Sequence, residues 1–174
     1  IIPFQLPVRP SGKLVVSANL KVNIAYIRHW ISSDIDLYGL PYSASTTIYP
    51  SDFYDGTYAD PVGTVTGIQD AYIVRDVGDT EPAGTLILTD REVNSDSGGD
   101  TNLVAYINAQ YDAGAVAGDY VFLRLSVDAT SGSTGAHYYG ISDESTTEAP
   151  TLTLEIENVT LSTDSFNKSS LRLY

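Results

Sequence analysis

The sequence predicts an all-β domain, a jelly-roll-like β-sandwich with one short α-helix at about residues 100–113. Three observations carry that prediction. Apolar and polar residues alternate with period 2 along Lys13–Ile27, the pattern of a strand with one buried and one wet face. Gly and Pro punctuate the chain at short intervals, as in folds built from short strands and turns. Of the 22 acidic residues, 16 are Asp and 6 are Glu. Asp belongs in turns and caps and Glu in helices, so the acidity sits mainly in loops.

Each element follows from its own residues. In Lys13–Ile27, Leu14, Val16, Ala18, Leu20, Val22, Ile24 and Tyr26 share one parity and are expected inward. Ser17, Asn19, Lys21 and Asn23 share the other, and Pro7, Pro10 and Gly12 bound the strand on its N-terminal side. Asp34–Leu40 reads as a second strand with Ile35 and Leu37 inward. Pro41–Pro61, rich in Tyr, Ser, Thr and Asp, reads as a long loop. Gly67–Asp76 and Gly84–Thr89 are two further strands, and Glu92–Gly99 is an acidic loop. Asp100–Ala113 is the helix: Asp100 or Thr101 can cap it and Gly114 can close it. Its Leu103, Val104, Ile107 and Tyr111 fall at helical spacing and should face a sheet. Tyr120–Val127, Ala136–Ser142 and Pro150–Ile156 complete the strands, the last with Leu152, Leu154 and Ile156 on one parity. Beyond Glu157 the phase slips, because Val159 and Leu161 take the opposite parity; a bulge or corner near Asn158 accounts for this. The expected organisation is a sandwich over 1–157 and an extension over 158–174, a possible donor strand.

Composition excludes several classes of function. The net charge of −13, with three Lys and six Arg scattered along the chain, lacks the basic footprint of a nucleic-acid binder. The chain has no Cys, which removes disulfides, thiolate nucleophiles and Cys-based metal sites, and only two His, His29 and His137. No apolar run approaches the length needed to span a membrane. The chain also has no Met and starts at Ile1-Ile2-Pro3-Phe4, which reads as a processed chain with its leader removed. Lack of the most oxidisable side chains fits an extracellular or cell-surface location.

Seven phrases together resemble a known family. They are Phe4-Gln5-Leu6-Pro7, Ser17-Ala18-Asn19-Leu20, Asp36-Leu37-Tyr38-Gly39-Leu40 and Ser51-Asp52-Phe53-Tyr54-Asp55-Gly56. Further on come Leu103-Val104-Ala105-Tyr106-Ile107-Asn108-Ala109-Gln110-Tyr111, Gly118-Asp119-Tyr120-Val121-Phe122-Leu123-Arg124-Leu125 and Ala149-Pro150-Thr151-Leu152. The series resembles secreted bacterial β-sandwich domains of the DNRLRE type, which look like carbohydrate-binding modules. The resemblance covers most of Phe4–Ile156 and implies a non-catalytic jelly roll on extracellular proteins. Domains of that type usually carry one or two strands before the Phe-Gln-Leu-Pro phrase, and they lack an extension like 158–174. A sandwich short of a strand leaves an open edge and an unfilled groove unless something pairs with it.

The functional expectation is therefore an extracellular structural subunit of a surface filament or biofilm matrix, a homopolymer joined by strand complementation. Its contact residues are expected to be Val159, Leu161, Phe166, Leu171 and Leu173, or at the other end Ile1, Ile2, Phe4 and Leu6. The alternative is a non-catalytic carbohydrate-binding module that holds polysaccharide on Trp30, Tyr49, Tyr54 and Tyr58, since Tyr and Trp pair an apolar face with a polar tip. Asn94, Asp96 and Asp100, with Ser97, crowd oxygens into a Gly-containing loop that suits calcium and equally suits Asx-turn and cap chemistry. Asn158-Val159-Thr160 and Asn167-Lys168-Ser169 are sequons that would make the chain a glycoprotein where the machinery exists. No catalytic motif is present, and Asp34 with Asp36, or Glu155 with Glu157, read as solvated faces rather than as a catalytic pair.

Overall fold

The computed structural model describes residues 1–28, 34–49, 52, 58–59, 64–74, 86–126, 138–141 and 148–158. Among these, the elements in chain order are β1 Ile2–Gln5, β2 Lys13–Arg28, β3 Ile35–Ser43, β4 Thr66–Ile73, β5 Leu86–Asn94, α1 Ser97–Asp112, β6 Tyr120–Ser126, β7 Tyr138–Ile141 and β8 Thr151–Asn158. The strands form two antiparallel sheets, the all-β sandwich with one helix that the alternation predicts. One sheet has the order β1-β6-β3-β4. The other is organised on the long β2: β5 pairs with one edge over Lys21–Arg28. On the opposite edge β7 meets Ile24–Arg28 and β8 meets Lys13–Lys21, end to end. No helix among the described residues is long and apolar enough to cross a membrane.

The core lies between the sheets. Leu20, Val22 and Ile24 from β2 meet Leu37 of β3, Ile68 and Ile73 of β4, and Val121 and Leu123 of β6, all fully buried. Each such side chain removed from water contributes roughly 1.5–3 kcal/mol before entropy is charged against it. The register of β2 is interrupted twice, between Val15 and Ser17 and between Ile24 and Tyr26, and the first interruption corrects the expected alternation. A bulge between Val15 and Ser17 resets the parity, so Val15 faces the core at 2% exposure while Leu14 and Val16 stand at 37% and 47%. β8 alternates regularly as far as Glu157, Asn158 beyond it is exposed as well, and the phase slip expected at Val159 and Leu161 lies outside the described residues.

Three boundaries also differ from expectation. β5 continues to Asn94, so Glu92–Asn94 is strand rather than loop. The helix begins at Ser97, one turn early, because Asp96 rather than Asp100 or Thr101 caps it, its carboxylate accepting the Gly99 N–H at 2.7 Å. Gly98 and Gly99, which read as loop glycines, lie in the first turn; Gly99 is buried, and a Cβ there would strike the Gln69 amide. Gly114 closes the helix as expected, at φ +111°, where a side chain would be strained. Third, Ile2–Gln5 is a strand of this chain's own sheet, with Ile2 opposite Leu123 and Phe4 opposite Val121.

The outer face of the first sheet is dry at its centre. Asp36, Tyr38 and Leu40 of β3, with Phe122 and Arg124 of β6, are buried although they point away from the core. Tyr58 and Asp52, which follow β3 in the chain, lie against them. The Tyr58 ring lies 6.1 Å from Tyr38, and the Arg124 guanidinium donates to the Asp52 carbonyl at 2.8 Å. Asp36 is thus not on a solvated face. Its carboxylate accepts from the Tyr38 hydroxyl at 3.0 Å and from the Ala71 N–H at 2.9 Å.

Candidate functional site

A two-sheet sandwich has two open sides, where the sheet edges leave the core exposed to water. On one side α1 fills the gap. It lies against the edge of β2 that β5 leaves free and against β4. Leu103, Tyr106, Ile107 and Tyr111 are buried there. Tyr106 takes the inward place expected for Val104, which is only half-buried. A Cβ on Gly39 would overlap the Tyr106 ring, so β3 needs glycine where the helix crosses it.

The helix also satisfies the strand backbone it covers. The Asn108 amide accepts the Val15 N–H at 3.0 Å and donates to the Val15 carbonyl at 2.8 Å, as a neighbouring strand would. Ser95, just before the helix, donates its N–H to the Leu20 carbonyl and accepts the Leu20 N–H on its hydroxyl. Asn102 donates to the Ile68 carbonyl of β4, and the Tyr106 hydroxyl to the carbonyls of Leu40 and Phe122. Gln110 accepts the Tyr42 N–H, and Tyr111 donates to the Pro7 carbonyl. Burial pushes the hydroxyl pKa values of Tyr106 and Tyr111 above the usual tyrosine range, so both stay protonated donors. A cleft of about 230 Å³ remains between Val16–Ala18 and the first turns of α1. With Val15 and Leu20 already bonded at its two ends, only the backbone of Ala18 is left to meet an added strand there.

Among the described residues the opposite side has no helix. Its lips are the sheet edges β1 and β8, which lie on the side of the sandwich away from α1. Ile2 and Phe4 on one lip, and Leu152, Leu154 and Ile156 on the other, pack on the core yet remain half-buried. Among the described residues neither outer edge is paired with a strand. The two edges are not equivalent. The Leu6 N–H donates to the Asp119 carbonyl and the Leu6 carbonyl accepts from Gly118. By alternation Phe4 and Ile2 also turn their backbone groups to β6, which leaves Pro3 and Gln5 facing outward. Pro3 has no N–H, so the outer edge of β1 is blunted against strand addition. Along β8 the phase runs the other way. Leu20 bonds Ser95 on the far edge of β2, so Asn19 and Lys21 bond β8 through Thr153 and Thr151. Leu152, Leu154 and Ile156 therefore point their N–H and C=O groups outward.

The structure distributes the residues singled out from the sequence as follows. Ile2, Phe4 and Leu6 belong to their own sandwich, Leu6 at 2% exposure, so they are lip and core residues of this chain. The Ile1 amino group is partly buried, which lowers its pKa, with Arg124 adding to the effect. Val159, Leu161, Phe166, Leu171, Leu173, Asn167, Trp30 and Tyr54 lie outside the described residues. Tyr58 is engaged with Tyr38, whereas Tyr49 is exposed. Asp96 caps the helix, Asp100 accepts from Asn19 and Ser95, and Asn94 donates to Glu92. Among the described residues no group of three or more His, Asp or Glu is placed to hold a metal. Asn158 is exposed at the end of β8. Sequence reasoning missed the role of Asn108; an Asn in mid-helix, a poor helix former, is the signal that was available.

No family model, curated protein or solved structure matches the chain.

Proposed function

We propose that this chain is an extracellular structural subunit that builds a surface or matrix filament by β-strand complementation between copies. One observation carries the reading: one side of the sandwich is sealed by a helix, while the other ends in half-buried apolar lips beside an edge strand whose backbone groups face outward. Such an edge accepts a strand through main-chain hydrogen bonds, and the apolar lips choose its side chains. A contact made between two different surfaces of identical copies repeats without closing and gives a filament. Three acidic residues singled out in the sequence support a structural role, since Asp36 accepts a backbone N–H, Asp96 caps the helix, and Asp100 ties the Asn19 amide to the Ser95 hydroxyl. An acidic surface and the lack of Cys and Met suit a protein that works outside the cell.

Negative-stain electron microscopy of the untagged chain at neutral pH tests the reading. Uniform fibres with a subunit-sized repeat are expected, and removal of residues 159–174 should leave a folded domain that forms none. Dispersed monomers from the full chain would overturn it.

A further inference from the structure

Resting on the filament reading, we infer that the acceptor is the outer edge of β8 and that its occupant is the Ser169–Tyr174 end of a neighbouring copy. The backbone phase selects the edge. Leu152, Leu154 and Ile156 present their N–H and C=O groups away from β2, in a strand of eight residues with no proline and no bulge. The facing edge of β1 carries Pro3 outward and cannot offer a continuous row of donors. In the remaining gap beside β2, Asn108 and Ser95 already bond the backbone of Val15 and Leu20 and leave only Ala18 to an added strand.

Side-chain pattern and charge select the occupant. β8 turns its leucines and Ile156 toward the core, and leaves Thr153, Glu155 and Glu157 exposed on the other face. A matching strand needs apolar residues at i and i+2 and a basic or neutral residue between them. Ser170-Leu171-Arg172-Leu173 supplies that order: Leu171 and Leu173 share one parity, and Arg172 takes the other, beside the glutamates. The segment 159–174 holds Lys168 and Arg172 but only one acid, Asp164, in a chain of 9 basic and 22 acidic residues. It is thus a basic segment of an acidic protein, directed at an acidic edge. Residues 159–168 can reach about 33–36 Å when extended, enough to cross to the next subunit. Donor and acceptor are different surfaces, so each added copy offers a fresh edge.

The absence of Cys from the natural chain makes a cross-linking test clean. Chains carrying Glu155→Cys are mixed with chains carrying Arg172→Cys, assembled, and treated with a short bis-maleimide, which tolerates a shift of register. Glu155 is exposed, and Glu157→Cys, at a second exposed position, replaces Glu155→Cys should the first variant be misfolded by circular dichroism. The expected result is a covalent dimer from the mixture on a denaturing gel, none from either variant alone, and its loss when Leu154→Lys is added to the acceptor chain. Filaments on the same grids without the mixed dimer would overturn this assignment and leave the filament reading standing. A double variant that cross-links only within single chains would overturn it too, because the segment would then lie on its own β8. Grids without filaments would overturn the filament reading itself.

Discussion

The helix side and the β1–β8 side of the sandwich border the same core but expose it differently. On the helix side, Leu103, Tyr106, Ile107 and Tyr111 are buried, and side-chain amides and hydroxyls satisfy the backbone of β2, β3 and β4. On the other side, Ile2, Phe4, Leu152, Leu154 and Ile156 are half-buried, and β8 keeps an outward row of backbone groups. The difference teaches that sealing a sandwich edge takes two things at once: apolar volume over the core, and polar partners for the strand it covers. A helix delivers both here only because Asn, Gln, Ser and Tyr stand at the positions that meet strand backbone. Where they are lacking, another strand is the natural cover.

Breaking the sealed side should have the largest effect. Tyr106→Ala removes a ring that fills the space over Gly39 and a hydroxyl shared by two carbonyls. A loss of about 3–5 kcal/mol is expected, read as a lower urea midpoint with an unchanged slope. Asn108→Ala leaves the Val15 N–H and carbonyl without their helix partner and should cost about 1–3 kcal/mol. Amide exchange at Val15, followed by NMR, should accelerate in the same variant.

The open side should respond in the opposite manner. Leu154→Ser truncates a side chain that is already half in water, so the monomer should lose only about 1 kcal/mol. Assembly followed by light scattering should nevertheless be weakened strongly. If Leu154→Ser proved as destabilising as Tyr106→Ala, the two sides would not differ as described.

The smallest effect is a pH dependence that belongs to the sealed side. Burial raises the pKa of Tyr72, whose hydroxyl donates to the Leu20 and Val93 carbonyls, and it raises those of Tyr106 and Tyr111. In the unfolded chain these groups lose their protons near about pH 10, while the folded chain keeps them. The unfolded state then binds fewer protons, so stability is intact below about pH 10 and falls as pH rises beyond it. Urea midpoints measured between about pH 8 and pH 11 should show that decline, with a shallower slope in Tyr72→Phe.

Much of the frame was legible before the structure. Period-2 alternation located β2 and β8, because a sheet with one wet face imposes that period on the residues, and the inward parity of β3 and β6 was legible although their other face is covered too. Helical spacing located most of α1. What alternation cannot register is a bulge, since one extra residue reverses every parity beyond it; the pattern puts Leu14 and Val16 inward, whereas the structure buries Val15. It also could not register that both faces of β3 are dry, because Tyr58 and Asp52, which lie against the outer face, come from beyond the strand.

The candidate site divides along the same line. That the chain is an acidic, Cys-free β-sandwich with a helix, and that residues 168–174 are apolar and basic, follows from residue types and their spacing alone, which are local quantities. Which side of the sandwich the helix seals, which edge Pro3 blunts, and which backbone groups of β8 face outward depend on strand order and register. Those are set by contacts between residues far apart in the chain, such as Asn108 with Val15 and Leu6 with Asp119, and no local pattern encodes them.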